Sequence, residues 1–129
     1  MPDKYDEWNI LKKKIAKSNH QPPYFKEGDI WWVSIGYNIG NEVYGKGKDF
    51  LRPVLILKKF NKYQFLGIPL SSQIKNNPYY AIIKIKNRRN SALLFQIKTF
   101  SSLRLQHKLT DLNTRDFLKV KRLVLSMFK

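Results

Sequence analysis

Lys26-Glu27-Gly28-Asp29-Ile30-Trp31-Trp32-Val33-Ser34-Ile35 is the stretch on which the fold turns. From Gly28 onward the apolar residues lose helical spacing, and Asp29 to Ile35 is aromatic and β-branched, which suits a pleated surface better than a helix. This run reads as a strand. Beyond it, Gly36 to Gly47 holds four glycines with Asn38 and Asn41. It reads as a long mobile loop, and loops of that length without regular structure are commonly functional. Arg52 to Phe60 reads as a second strand, with Pro53 near its start, where a missing N–H is tolerated. Asn61-Lys62 reads as a turn, Tyr63 to Leu70 as a third strand and Tyr79 to Lys86 as a fourth. Asn87-Arg88-Arg89-Asn90 reads as a basic hairpin turn and Ala92 to Ile97 as a fifth strand. The chain then ends in a helix capped by Asn113 or Thr114, with Phe117, Val120, Val124 and Met127 on one face.

On the N-terminal side, residues 3–17 have the period of a short amphipathic helix. Trp8, Leu11 and Ile15 share a side, and Lys12, Lys13, Lys14 and Lys17 cover the rest. Ser18 to Pro23 ends the helix, because Pro22 and Pro23 cannot continue it. The chain therefore divides into an N-terminal helical appendage and linker, 1–22, and a main domain, 23–129. Several short strands with few helices predict a mostly β (α+β) fold, a small, strongly bent barrel of about five to seven strands with a C-terminal helix, rather than a βαβ sheet.

The chain has 129 residues, 43% of them hydrophobic, which supports one modest core rather than disorder. There is no cysteine, so disulfides, thiolate zinc sites and thiol nucleophiles are excluded. With only His20 and His107, a multi-histidine metal site has no ligands, and no metal or cofactor is expected. No apolar run approaches the ~18 residues of a membrane span. The N-terminus lacks the layout of a signal peptide, so a cytoplasmic location is the default.

Twenty-five Lys and Arg face nine Asp and Glu, a net charge of +16, and residues 73–129 alone carry thirteen basic and two acidic side chains. Such an excess costs self-repulsion and implies a polyanionic partner. Nucleic acid leads and an anionic membrane surface follows. A surface merely decorated with lysine is the plain alternative.

Three segments, in this order, resemble the MazF/PemK family of toxin endoribonucleases. The first is Lys26 to Ile35 with Gly40-Asn41-Glu42 in the loop after it. The second is Phe50-Leu51-Arg52-Pro53-Val54-Leu55-Ile56-Leu57 followed by Ile68-Pro69-Leu70-Ser71-Ser72. The third is Leu93-Leu94-Phe95-Gln96-Ile97-Lys98-Thr99 followed by Ser102-Leu103-Arg104-Leu105. The resemblance implies an SH3-like barrel acting as a homodimer. It implies metal-independent cleavage of single-stranded RNA to 2′,3′-cyclic phosphate and 5′-hydroxyl ends, and an acidic antitoxin partner. The N-terminal helix lies outside the resemblance. Two other classes fit the composition: a non-catalytic nucleic-acid-binding module, and a topoisomerase-poisoning toxin of the CcdB type.

By the same resemblance Arg52 matches the family's loop-to-strand arginine and Ser71 its active-site threonine or serine, the two catalytic candidates. A guanidinium fork suits phosphoryl oxygens, although Arg52 has a local reading too, as a partner of Asp49 or of loop carbonyls. Ser71 and Ser72 both suit a turn. Phe95 stands where several relatives carry a carboxylate, and neither Leu93 nor Phe95 moves a proton. Glu42, in the loop, is the alternative base. Gln96 and Lys98 resemble the family's Gln-x-Arg strand end. Lys46 and Arg88, with Lys48 and Arg89, are candidates to track phosphates. Tyr79, with Tyr37, Tyr44 and Tyr80, is a candidate to stack on bases, and strand alternation requires that Tyr79 and Tyr80 face opposite ways.

Overall fold

The computed structural model describes residues 3–18 and 21–129, so His20 and part of the expected linker lie outside the described residues. Seven strands form one antiparallel sheet between two helices. They are β1 (Asp29–Ser34), β2 (Leu51–Asn61), β3 (Gln64–Ser71), β4 (Tyr80–Ile85), β5 (Arg88–Leu93), β6 (Lys98–Ser101) and β7 (Leu105–Asp111), with α1 (Lys4–Ala16) and α2 (Thr114–Ser126). The order is β4-β5-β3-β2-β1-β7, and β6 adds to β3. The far edge of β3 is thus shared: Gln64 to Gly67 pair with β6, and Leu70 and Ser71 pair with β5. The expected mostly β architecture with terminal helices holds, as a bent sheet that does not close into a complete barrel.

The central strands are buried on both faces, which explains their nearly unbroken apolar sequence. Alternation sorts their side chains into two cores. Ile30, Leu55, Leu57, Ile68 and Leu70 pack with Ile83, Leu94, Val120 and Val124 on the α2 side. Trp31, Val33, Val54, Ile56 and Phe65 pack with Phe25, Phe100 and Leu105 on the other. Asn113 caps α2 through the Asp116 N–H at 2.8 Å. Helix α2 also guards the edge of β4: the Lys84 N–H donates to Asp116 Oδ2 and Lys119 Nζ donates to the Ile82 carbonyl. Side chains on edge backbone groups discourage pairing with another strand.

Three sequence expectations need correction. The β4–β5 turn is Lys86-Asn87, both at positive φ (49° and 66°), as a two-residue hairpin that follows sheet twist requires. Arg88 and Arg89 are consequently strand residues. The fifth strand stops at Leu93, and a 3-10 turn over Leu94–Gln96 carries the chain to β6. The β4–β5 ladder ends at the Tyr80–Leu93 pair, and Leu94 already belongs to the turn. The 36–47 loop is tethered rather than loose. Gly45 donates to the Gly36 carbonyl at 2.6 Å, Lys46 and Leu51 exchange two backbone hydrogen bonds, and Phe50 is buried.

Helix α1 packs against this loop. Trp8 is buried over Gly36, where any Cβ would run into the indole, and it lies against Phe50 and under the Arg104 guanidinium. Tyr5 meets Tyr37 edge-on at 4.7 Å, and Tyr37 meets Tyr44 at 5.7 Å. The apolar face of α1 therefore rests on its own chain.

An ion cluster joins the start of β1 to the end of β7. Lys26 Nζ and Lys108 Nζ each reach both Asp29 and Asp111, at 2.5–3.2 Å, and buried Asp29 also accepts from the Trp31 indole. Hydrogen bonds from Lys108 and Lys26 hold Asp111 well below the usual carboxylate range, and its carboxylate with that of Asp29 raises Lys26. The Asp111 contribution is complete above the ordinary aspartate value of about 3.9 and fades as pH falls below it; that of Lys26 is complete below about 10.4 and fades above. Because Lys26 and Asp111 are largely exposed, Asp111→Asn is expected to cost under about 1 kcal/mol at pH 7. Melting temperatures measured across pH should show the gap between variant and parent narrowing below pH ~4. A gap that stayed constant into acid would mean the Asp111 charge contributes nothing.

Candidate functional site

Loop, β2 and the end of β3 meet at Arg52. As the second residue of β2, Arg52 points back under the loop, donating from Nε to the Tyr44 carbonyl (2.8 Å) and from Nη1 to the Leu70 carbonyl (3.1 Å). The loop-carbonyl reading of this arginine is therefore part of the structure, and Asp49 is not its partner. Two of its five N–H groups are occupied; among the described residues the other three make no hydrogen bond. Burial lowers its pKa from the ordinary value, but a guanidinium remains charged near neutrality. The result is an oriented, partly desolvated cation beside an open groove.

Ser71 ends β3 beside it. Its Oγ accepts from the Gln73 N–H at 3.1 Å, which fixes the hydroxyl oxygen and leaves its proton free to be donated. Arg52 and Ser71 line a groove of about 540 Å³ together with Glu42, Lys46, Gln73, Tyr80, Phe95 and Gln96. They also line an adjoining groove of about 770 Å³, which adds Ser72, Lys86 and Arg88 over a floor of Trp32, Pro53 and Leu70. The second groove presents four cations and no carboxylate, and Glu42 is the sole carboxylate of the first. Such a surface attracts polyanions.

The structure thus brings together Arg52, Ser71, Glu42, Lys46, Ser72, Arg88 and Gln96. Glu42 is turned partly into its own loop, accepting the Ile39 N–H at 3.1 Å. Gln96 is a strut: its Oε1 accepts the Val43 N–H (2.7 Å) and its Nε2 donates to the Asn41 carbonyl (3.3 Å), so it sets the height of the loop over the groove. Lys98 lies apart from Arg52, in a third cavity of about 600 Å³ on the far side of Phe95 and Gln96. Tyr79 is exposed and lines none of these cavities, whereas Tyr80 lines the groove and meets Phe95 edge-on at 5.4 Å. Alternation placed one tyrosine of the pair inward, and it is the second. The corrected turn has the same effect on the arginines: Arg88 faces the groove and Arg89 does not line it. His107 sits on β7 against Trp32, at 6.1 Å, and lines neither groove.

Gln73 is a groove residue that sequence reasoning missed. Its signal is weak, a residue two positions after a serine whose oxygen turns the backbone. Among the described residues no three His, Cys, Asp or Glu side chains cluster. The groups on offer to an anion in this groove are guanidinium, ammonium, hydroxyl and amide.

The family model of PemK-like, MazF-like toxins of type II toxin–antitoxin systems matches residues 26–128. None of the curated proteins matches the sequence. Among solved structures, MazF from Deinococcus radiodurans is similar at a TM-score of 0.67 and 18% identity, over 82% of this chain and 98% of that one. An endoribonuclease in complex with its cognate antitoxin from Mycobacterial species has a TM-score of 0.64 and 12% identity, over 81% and 95%. The MazE–MazF complex of Deinococcus radiodurans has 0.63 and 16%, over 82% and 97%. At these identities the likeness is one of fold. Helix α1 lies outside the matched segment.

Proposed function

The chain belongs to the PemK-like, MazF-like toxin family of type II toxin–antitoxin systems, and from that premise we propose that it cleaves single-stranded RNA within the Arg52–Ser71 groove. The observation that carries this reading is Arg52 itself: a charged fork, partly desolvated, held by two carbonyls and still presenting unpaired N–H groups to a cationic groove. In the proposed reaction the ribose 2′-oxygen attacks the adjacent phosphorus, the P–O5′ bond breaks, and the departing 5′-oxygen takes a proton from water. The products are a 2′,3′-cyclic phosphate and a 5′-hydroxyl. Arg52 neutralises the non-bridging oxygens as their charge grows, and the Ser71 hydroxyl donates to one of them. Lys46, Lys86 and Arg88 hold flanking phosphates.

Proton transfer is where this chain departs from several relatives. Phe95 stands in the groove with no proton to move, so Glu42 is the remaining carboxylate for the 2′-hydroxyl. The same observation favours a second reading, a toxin-like fold that binds RNA without cutting it. This toxin is proposed to act in the cytoplasm as a homodimer restrained by an antitoxin; the antitoxin is the part supported by a similar structure, an endoribonuclease in complex with its cognate antitoxin. The charge of +16 argues that the antitoxin is acidic.

The test is incubation with a long single-stranded RNA in EDTA, followed by end-group analysis. Cleavage leaving cyclic-phosphate and 5′-hydroxyl ends is the expected result. A strict magnesium requirement or 5′-phosphate products would overturn it, and binding without cleavage would select the second reading.

A further inference from the structure

The two cavities on either side of Phe95 share a wall. Asn41, Glu42, Val43, Phe95 and Gln96 line both the Arg52 groove and the cavity that holds Lys98. Phe95 is 49% exposed at this junction, with Tyr80 braced edge-on against it. An aromatic ring half exposed on the lip of a cationic groove presents a face on which a base can stack. From Lys98 the positive charge continues onto α1. Lys98 feels the charges of Arg104 and Lys12, and Lys12 and Arg104 together line a further cleft of about 290 Å³ between α1 and the turn after β6. Among the described residues none of the three cations has an ion-pair partner, and Glu42 is the one acid whose charge reaches Lys98.

We infer that the RNA strand leaves the Arg52 groove across Phe95, on which one base stacks, and lays its following phosphates on Lys98, Arg104 and Lys12, so that α1 is part of the RNA-binding surface. The inference rests on the proposed function and extends it beyond the segment that matches the family. A cationic track interrupted by an exposed aromatic platform is the chemistry of single-strand binding, since every base has a face to stack and every linkage a charge to neutralise. An acidic peptide would also meet the cations. RNA is favoured because the track runs directly out of the groove that holds Arg52, and because the ring sits between the cations rather than beyond them.

Binding is measured by fluorescence anisotropy with 2′-deoxy oligonucleotides, which lack the attacking hydroxyl. One is about 4 nucleotides long and one about 14, spanning the usual range of single-strand sites. Lys12→Gln is expected to weaken the longer strand and to make its salt slope shallower by about 0.7, one phosphate of a single strand. Lys12→Arg should restore both. Phe95→Leu should weaken the longer strand by about 5- to 150-fold, the loss of one stacked base. If the unmodified protein binds the longer strand and Lys12→Gln binds it with the same affinity and slope, the track is wrong while the proposed function stands. If the unmodified protein binds neither strand yet cleaves RNA, the track is wrong while the proposed function stands; if it neither binds these strands nor binds or cleaves RNA, both fall. Loss of affinity for polyglutamate alone, with RNA binding intact, would assign the surface to an acidic peptide and overturn the inference.

Discussion

Arg52→Ala is expected to slow RNA cleavage by about 10²–10³-fold, the usual cost of removing one donor that meets charge developing in a transition state. The structure adds a second contribution. Arg52 holds the Tyr44 carbonyl of the loop and the Leu70 carbonyl of β3, so alanine also frees the loop over the groove. Arg52→Lys separates the two. Lysine keeps the charge but cannot reach two carbonyls and a phosphoryl group with one planar fork. It should therefore recover RNA affinity more fully than rate. Single-turnover rates and affinities for an uncleavable strand, measured side by side, decide the matter. Rate and affinity falling in equal proportion in Arg52→Ala would make Arg52 a binding residue only. By contrast, Lys46→Ala and Arg88→Ala should weaken binding and reduce the salt slope by about one phosphate each.

The parts of this fold that could be read in advance are those where one physical constraint dominates. Ile30 to Val33 and Val54 to Leu57 sit between two cores, and only β-branched, leucine and aromatic side chains satisfy burial on both faces. Helix α2 carries both its cap and its stripe in the sequence. Strands β6 and β7 were not legible. Lys98–Ser101 is four residues long with one buried side chain, and Leu105–Asp111 is an edge strand with mostly exposed ones, so neither has a pattern that outweighs a loop. The end of β5 is not legible either, since consecutive buried residues such as Leu93 and Leu94 also occur inside the strands, as at Val54 to Leu57. At the site, Arg52 and Ser71 are candidates through a resemblance rather than through their own chemistry. Gln96 and Lys98 go together in the sequence through their resemblance to a Gln-x-Arg strand end, but the 3-10 turn sends Gln96 to the loop and Lys98 to the neighbouring cavity. Which tyrosine of Tyr79-Tyr80 faces the groove depends on the register of β4 against β5, and only the pairing of Tyr80 with Leu93 settles that.

Gly45→Ala is expected to damage activity about as severely as loss of Arg52, although Gly45 bears no chemistry. A Cβ on Gly45 would fall on the backbone carbonyl of Phe50, and a backbone atom, unlike the end of a flexible side chain, cannot swing aside. Phe50 is itself fixed. It is buried, takes a positive φ of 52°, and accepts the Ile35 N–H, while Trp8 and Tyr37 pack on its ring. The strand-like closure of the loop must therefore open on the Gly45 side. That breaks the Gly45 to Gly36 hydrogen bond and displaces the two neighbours that matter to the site, Tyr44, whose carbonyl holds Arg52, and Lys46, which lines both grooves. A misplacement of ~1 Å at reacting groups is enough for a loss of about 10²-fold. Gly40→Ala is the control. Gly40 has open space around it and a φ of 59°, so that substitution strains its own backbone without pushing on a neighbour. The rate of RNA cleavage and the thermal midpoint should be compared across both variants. The expected pattern is a large rate loss in Gly45→Ala and a small one in Gly40→Ala, with both folded. Equal, small effects would mean that the loop re-forms without its Gly45 closure and that Arg52 is positioned by β2 and Leu70 alone.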